Sequence, residues 1–157
     1  MKHHFQRQGF SLIEIIVFVM ILNLVFVAAV SLVITSLYRM RVNLHKARAT
    51  FYAEELKEWL TSEREADPAS LQVQAGSTYC VNSALNLNTT FSQFTTGACN
   101  FNGIGNESPH IYRRRVTLTQ TSPNQLTAHI EVSWNEAKPN GAMQQYDETL
   151  ETIFTIW

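Results

Sequence analysis

From Ile15 to Leu37 the chain runs 23 residues without a charged side chain. At 1.5 Å of rise per residue a helix of this stretch is about 34 Å long, enough to cross a hydrocarbon core of about 30 Å. A helix that is apolar on every side belongs in a membrane or at the centre of a large core, and 157 residues leave room for no large core around it. A removable secretory signal has an apolar region of only ~7–15 residues ending in a small-residue cleavage site. No Ala-x-Ala pattern closes this run, and no cysteine stands at its head to carry a lipid. The run therefore reads as a retained membrane helix. Basic residues flank both ends (Lys2 and Arg7 before, Arg39, Arg41, Lys46 and Arg48 after), so charge counting alone does not orient it. At the head of the run stands one carboxylate, Glu14, and within it one amide, Asn23. A charged side chain at membrane depth costs about 2.5–3.5 kcal/mol on insertion scales, so Glu14 asks for a partner.

The stretch around that carboxylate is Gly9-Phe10-Ser11-Leu12-Ile13-Glu14-Ile15-Ile16-Val17. It resembles the processing and assembly signature of type IV pilins and pseudopilins: a short basic leader ending in Gly, then Phe, then Glu as the fifth mature residue, then a long apolar helix. The resemblance covers roughly 30 residues and combines five features, which makes it far more specific than a short motif alone. It implies a leader of residues 1–9, cleavage after Gly9 by a membrane-embedded prepilin peptidase, and N-methylation of the new amine at Phe10. Glu14 is then the assembly residue, pairing with the N-terminal amine of a neighbouring subunit or of its own chain. A carboxylate in low dielectric is stable only when paired. Pilins that form the bulk of a filament commonly carry a helix-kinking Pro where this chain has Ser31, and no Pro precedes Pro68. That departure points to a minor subunit.

Beyond Leu37 a helical period continues. Val42, His45, Ala49, Tyr52, Ala53, Leu56, Trp59 and Leu60 recur at spacings of three and four, with Glu54, Glu55, Lys57, Glu58, Glu63, Arg64 and Glu65 between them. Asp67-Pro68 ends the pattern, because the residue before a proline disfavours the α region. One helix is expected from about Phe10 to about Glu65, its second half amphipathic and in need of a domain to lie against. From Ala69 to His110 the composition turns to Ser, Thr, Asn and Gly, read as a long surface connection with short strands near Thr78–Val81. Cys80 and Cys99 lie in it, and a disulfide closing a loop of that length is worth about 3 kcal/mol on the chain-entropy model. Asn88-Thr89-Thr90 and Asn106-Glu107-Ser108 match a glycosylation sequon, a weak signal in so Asn-rich a stretch.

Three strand patterns follow. Tyr112, Arg114, Val116 and Leu118 share one face, then Leu126, Ala128, Ile130, Val132 and Trp134, then Leu150, Thr152, Phe154 and Ile156. Thr121–Gln125 and Ala137–Ala142 are the turns between them, Pro123 suiting the second turn position. Arg113-Arg114-Arg115 is the one dense cation cluster. Strand alternation lets only two of the three share a surface and aromatic residues near it are few, so it reads as surface charge rather than a phosphate-binding patch. His129 falls on a polar strand face, and Trp59, Trp134 and Trp157 read as packing residues. The net charge of −1 sets up no strong field, and neither a nucleophile elbow, a paired-carboxylate site nor metal-ligand spacing of the five histidines occurs.

The expectation is an α+β fold: a long N-terminal helix packed on a small antiparallel C-terminal β-sheet, divided into leader 1–9, membrane and assembly helix 10–37, amphipathic continuation 38–66 and an exported β-rich head 67–157. The resemblance implies a non-enzymatic filament subunit without cofactor or metal. Its expected partners are the prepilin peptidase, other pilin or pseudopilin subunits, the inner-membrane assembly platform and the membrane itself, with nucleic acid not among them. It implies an inner-membrane, single-pass protein whose head is exported, then a surface or periplasmic filament. A minor pilin is the first reading and a minor pseudopilin of a type II secretion system the second. A signal-anchored binding protein with an uncleaved N-terminus is a third, of a different class.

Overall fold

The computed structural model describes residues 11–86, 88–104 and 111–156. Helix α1 spans Leu12–Ala66, and the chain divides into two units at Met40.

In the first unit α1 has no covered side. Leu12, Ile16, Phe18, Met20, Leu24, Phe26, Val30, Leu32 and Leu37 are all exposed, as an apolar helix without a packing face must be unless lipid or other helices surround it. By length and composition this helix could cross a membrane. It passes Ser31 without interruption, and the Ser31 carbonyl accepts a second hydrogen bond from Thr35 Oγ1 at 2.9 Å.

In the second unit the same helix changes character. Ala49, Tyr52, Ala53, Leu56, Trp59 and Leu60 are buried, the stripe that the spacing predicts. Val42 and His45, at its beginning, are half-buried. Asp67 stops α1 and caps the short helix α2 (Pro68–Val73), its carboxylate accepting from the Ser70 N–H at 3.1 Å with Pro68 in the first turn.

Five strands form one antiparallel sheet in the order β2-β1-β3-β4-β5: β1 Thr78–Cys80, β2 Thr95–Thr96, β3 Tyr112–Ser122, β4 Gln125–Ala137 and β5 Met143–Thr155. Pro123 and Asn124 form the β3–β4 loop. Neither has positive φ, so the turn does not match the strand twist as a primed turn would, and the ladder shifts register between Gln120 and Ser122. The β4–β5 turn closes through the Lys138 N–H to Ala142 carbonyl bond at 2.8 Å, and Gly141 there holds φ +82°, where a side chain would be strained. The registers Val116↔Ile130 and Ile130↔Leu150 put the predicted apolar sets on one face. Val116, Leu118, Leu126, Ala128, Ile130, Val132 and Trp134 are buried there in one core with the α1 stripe. Full burial of a Leu, Ile or Val side chain contributes about 1.5–3 kcal/mol.

The stretch from Ala69 onward differs from its expected role as a surface connection. Leu71, Tyr79, Val81, Phe91, Phe94 and Ile104 are buried parts of the core. Phe91 and Phe94, the first in a single 3-10 turn (Phe91–Gln93), pack on Trp59 with ring centroids 5.1 and 5.3 Å away. Each supplies the area that a small sheet lacks at its β1 end.

Candidate functional site

Glu14 lies in the first turn of α1, where the exposed N–H groups of the helix favour a negative charge. Its side chain is exposed and has no ion-pair or hydrogen-bond partner among the described residues. Gly9 and Phe10, the processing and methylation positions, lie outside the described residues. Asn23 is exposed beside Met20, Leu24 and Val27, in a shallow apolar depression.

Charges in the second unit are treated differently. Arg114 is fully buried, which corrects its reading as surface charge. Strand alternation puts it on the inner face between Tyr112 and Val116, and its guanidinium meets acceptors on two segments, α1 and the loop after β1. Nε donates to the Val81 carbonyl at 2.9 Å, Nη1 to the Tyr52 carbonyl at 2.9 Å and to Glu55 Oε2 at 2.7 Å, and Nη2 to the Ser83 carbonyl at 3.2 Å. Burial pulls the Arg114 pKa down and Glu55 pulls it back up. The rigid fork of donors suits this job, because one planar group can tie helix, sheet and loop together. The neighbouring arginines are also engaged. Arg113 stacks over Phe101 at 4.5 Å from the ring centre, and Arg115 pairs with Glu131. The triplet thus presents no free cationic patch.

A second cluster surrounds Glu136, which is 5% exposed. Its two oxygens take Arg41 Nη1 at 3.1 Å and His45 Nε2 at 3.1 Å. The other His45 nitrogen, Nδ1, meets the Tyr112 hydroxyl. Desolvation lowers the His45 pKa below 6.5 and Arg48 and Arg41 push the same way, while Glu136 opposes them. The neutral ring satisfies both neighbours at once, Nε2–H donating to Glu136 and Nδ1 accepting from Tyr112.

Cys80 and Cys99 form a disulfide with Cα atoms 5.2 Å apart, as the sequence suggested. His129 is exposed on β4, Trp59 and Trp134 are buried core residues, and Trp157 lies outside the described residues, as do both ends of the second sequon with its Asn106. No group of three His, Cys, Asp or Glu side chains converges as a metal site among the described residues. Sequence reading missed Arg114 as a buried tie and Glu136 as a buried acceptor. Both could have been found by strand parity, since each sits an even number of residues from a buried aromatic, Tyr112 and Trp134.

No family model, no curated protein and no solved structure matches this chain.

Proposed function

We propose that the chain is a minor pilin-like subunit, cut after Gly9, inserted in a membrane through α1 and assembled with other subunits into a type IV pilus filament. The observation that carries this reading is Glu14: a carboxylate at the fifth position after Gly9, in the first turn of an uncovered apolar helix, with no partner among the described residues. The fold supports it, since an exposed apolar helix running on into a β-sheet head suits extraction from lipid into a helical bundle. The head supplies a disulfide-closed body. In this reading a prepilin peptidase and an inner-membrane assembly platform are the protein's processing and assembly partners. Ser31 in place of a kinking Pro favours a minor over a major subunit.

Intact-mass measurement of the membrane-extracted protein tests this directly. The expected mass is that of the chain from Phe10 with one added methyl group, and a chain beginning at Met1 would overturn the reading. Deleting the gene and comparing surface fibres with exoprotein release distinguishes a pilus subunit from a pseudopilin of a secretion filament. Loss of fibres with normal release is the expected result.

A further inference from the structure

The sheet ends in two unlike edges. At one end, β2 is only Thr95–Thr96 and pairs beside Cys80 of the disulfide, so little backbone is left open. At the other end, β5 runs the 13 residues Met143–Thr155 in unbroken register with β4, from Gln125↔Thr155 to Ala137↔Met143. Alternate residues of β5 therefore turn their N–H and C=O groups to a side that no strand covers among the described residues. Sheets ordinarily blunt such an edge with a short strand, a proline, a bulge or lysines. The β2 edge uses the first device. The β5 edge has none of these and is guarded by acids alone: Met143–Thr155 contains no Pro, Gly, Lys or Arg, its ladder has no register shift, and of its three acids only Glu148 turns inward.

The charge on this edge has one sign. Asp147, Glu148 and Glu151 are its ionisable acids, and no basic residue offsets them within the strand. Glu148 points to the helix side and meets Lys46 at 3.5 Å and Thr50. Asp147 and Glu151 share the outer, exposed face with Gln145, Thr149 and Ile153. Asp147 accepts one hydrogen bond, from Gln145 Nε2 at 2.8 Å, and Glu151 lies opposite His129 of β4. The two carboxylates are four positions apart, about 13 Å along a strand.

That spacing disfavours a second copy in the register that pairs the two strands along most of their length. Antiparallel pairing of two β5 strands about Thr149 would set Asp147 of each copy opposite Glu151 of the other, and like charges directly opposite are destabilising. A strand carrying cations at the same spacing turns both contacts favourable. We propose that the open edge of β5 binds an extended segment of a partner protein carrying Lys or Arg side chains four residues apart. Backbone hydrogen bonds would supply the affinity, and Asp147 and Glu151 the selection. This surface lies wholly within the second unit and does not depend on N-terminal processing.

The test uses the full chain in neutral detergent and three nine-residue peptides of alternating Thr and Val. One carries Lys at its third and seventh positions, one carries Glu there, and one is the Lys peptide with a central Pro. Hydrogen exchange of β5 amides is read by mass spectrometry with each peptide at about 1 mM. The Lys peptide should slow exchange in Met143–Thr155 about tenfold, while the Glu and Pro peptides leave it unchanged. The double variant Asp147→Lys, Glu151→Lys should bind the Glu peptide instead, with its melting temperature as the check that the head is folded. Unchanged exchange with the Lys peptide, or equal protection by the Lys and Glu peptides, overturns the proposal. So does concentration-dependent dimerisation of the full chain that the Lys-substituted variant abolishes or that protects β5 without peptide.

Discussion

The two units of the chain place ionisable groups in two apolar settings and treat them in opposite ways. Past Met40, each deeply buried charge is matched by its own chain: Arg114 by Glu55 and three carbonyls, Glu136 by Arg41 and His45. Before Met40, Glu14 has exposed apolar neighbours on its helix and no partner among the described residues. The difference is physical. A desolvated charge must be neutralised or paired, and the head contains enough polar backbone and side chains to do so internally. Among the described residues the N-terminal stretch offers none for Glu14, and in the proposed reading its partner is the chain's own amine or that of another subunit. An internal match stabilises a fold, whereas an external one makes folding and assembly separable.

Breaking the largest internal match should cost the most. Arg114→Ala should lower head stability by about 3–5 kcal/mol, because Glu55 and three carbonyls lose their donor and the core gains a void. Arg114→Lys should fall between Ala and the native residue, since a point ammonium cannot reach all the acceptors held by the fork. Chemical unfolding followed by near-ultraviolet circular dichroism, which reports the packed tryptophans, would measure both. Removing the disulfide by Cys80→Ala with Cys99→Ala should cost about 3 kcal/mol in the same assay, through a looser unfolded chain and a less anchored β1–β2 edge.

The third effect is smaller and depends on pH. His45 has a folded-state pKa below 6.5. The unfolded chain therefore takes up a proton first as the pH falls, so stability is fully present above pH 6.5 and declines as the pH drops from there toward the folded pKa. His45→Gln should flatten that part of the profile while keeping a side chain able to bond Glu136. Melting temperatures between pH 5 and 8 would read the slope, after allowance for carboxylates titrating at the lower end. Glu63, whose pKa is raised by burial and by Asp67, contributes in the opposite sense. It binds its proton more readily when folded, so it favours the folded state at the acid end and opposes the His45 trend there.

Much of this architecture is legible in the sequence because it is periodic. The α1 stripe from Ala49 to Leu60 and the alternation in β3, β4 and β5 fix which faces are buried, and the structure places them so. Phe91, Phe94 and Ile104 were not legible as core, because they sit in irregular backbone where no period marks a buried side. The strand β2 is two residues long, too short to carry a pattern. Arg114 was misread for another reason. Three consecutive arginines read as charge by composition, while the strand's parity, visible in Tyr112 and Val116, sends the middle one inward. That β5 forms an open edge follows from strand order, which alternation along one strand does not encode.

The central claim is that Glu14 is matched from outside the head, so that it governs assembly and nothing in the head's stability. Glu14→Ala, expressed in place of the native chain, tests it with three readings on one sample: the N-terminal mass, the head's melting temperature and the fraction recovered in sheared filaments. The account predicts a processed, methylated chain with an unchanged melting temperature and a severe loss from the filament fraction. Incorporation at the native level would contradict it.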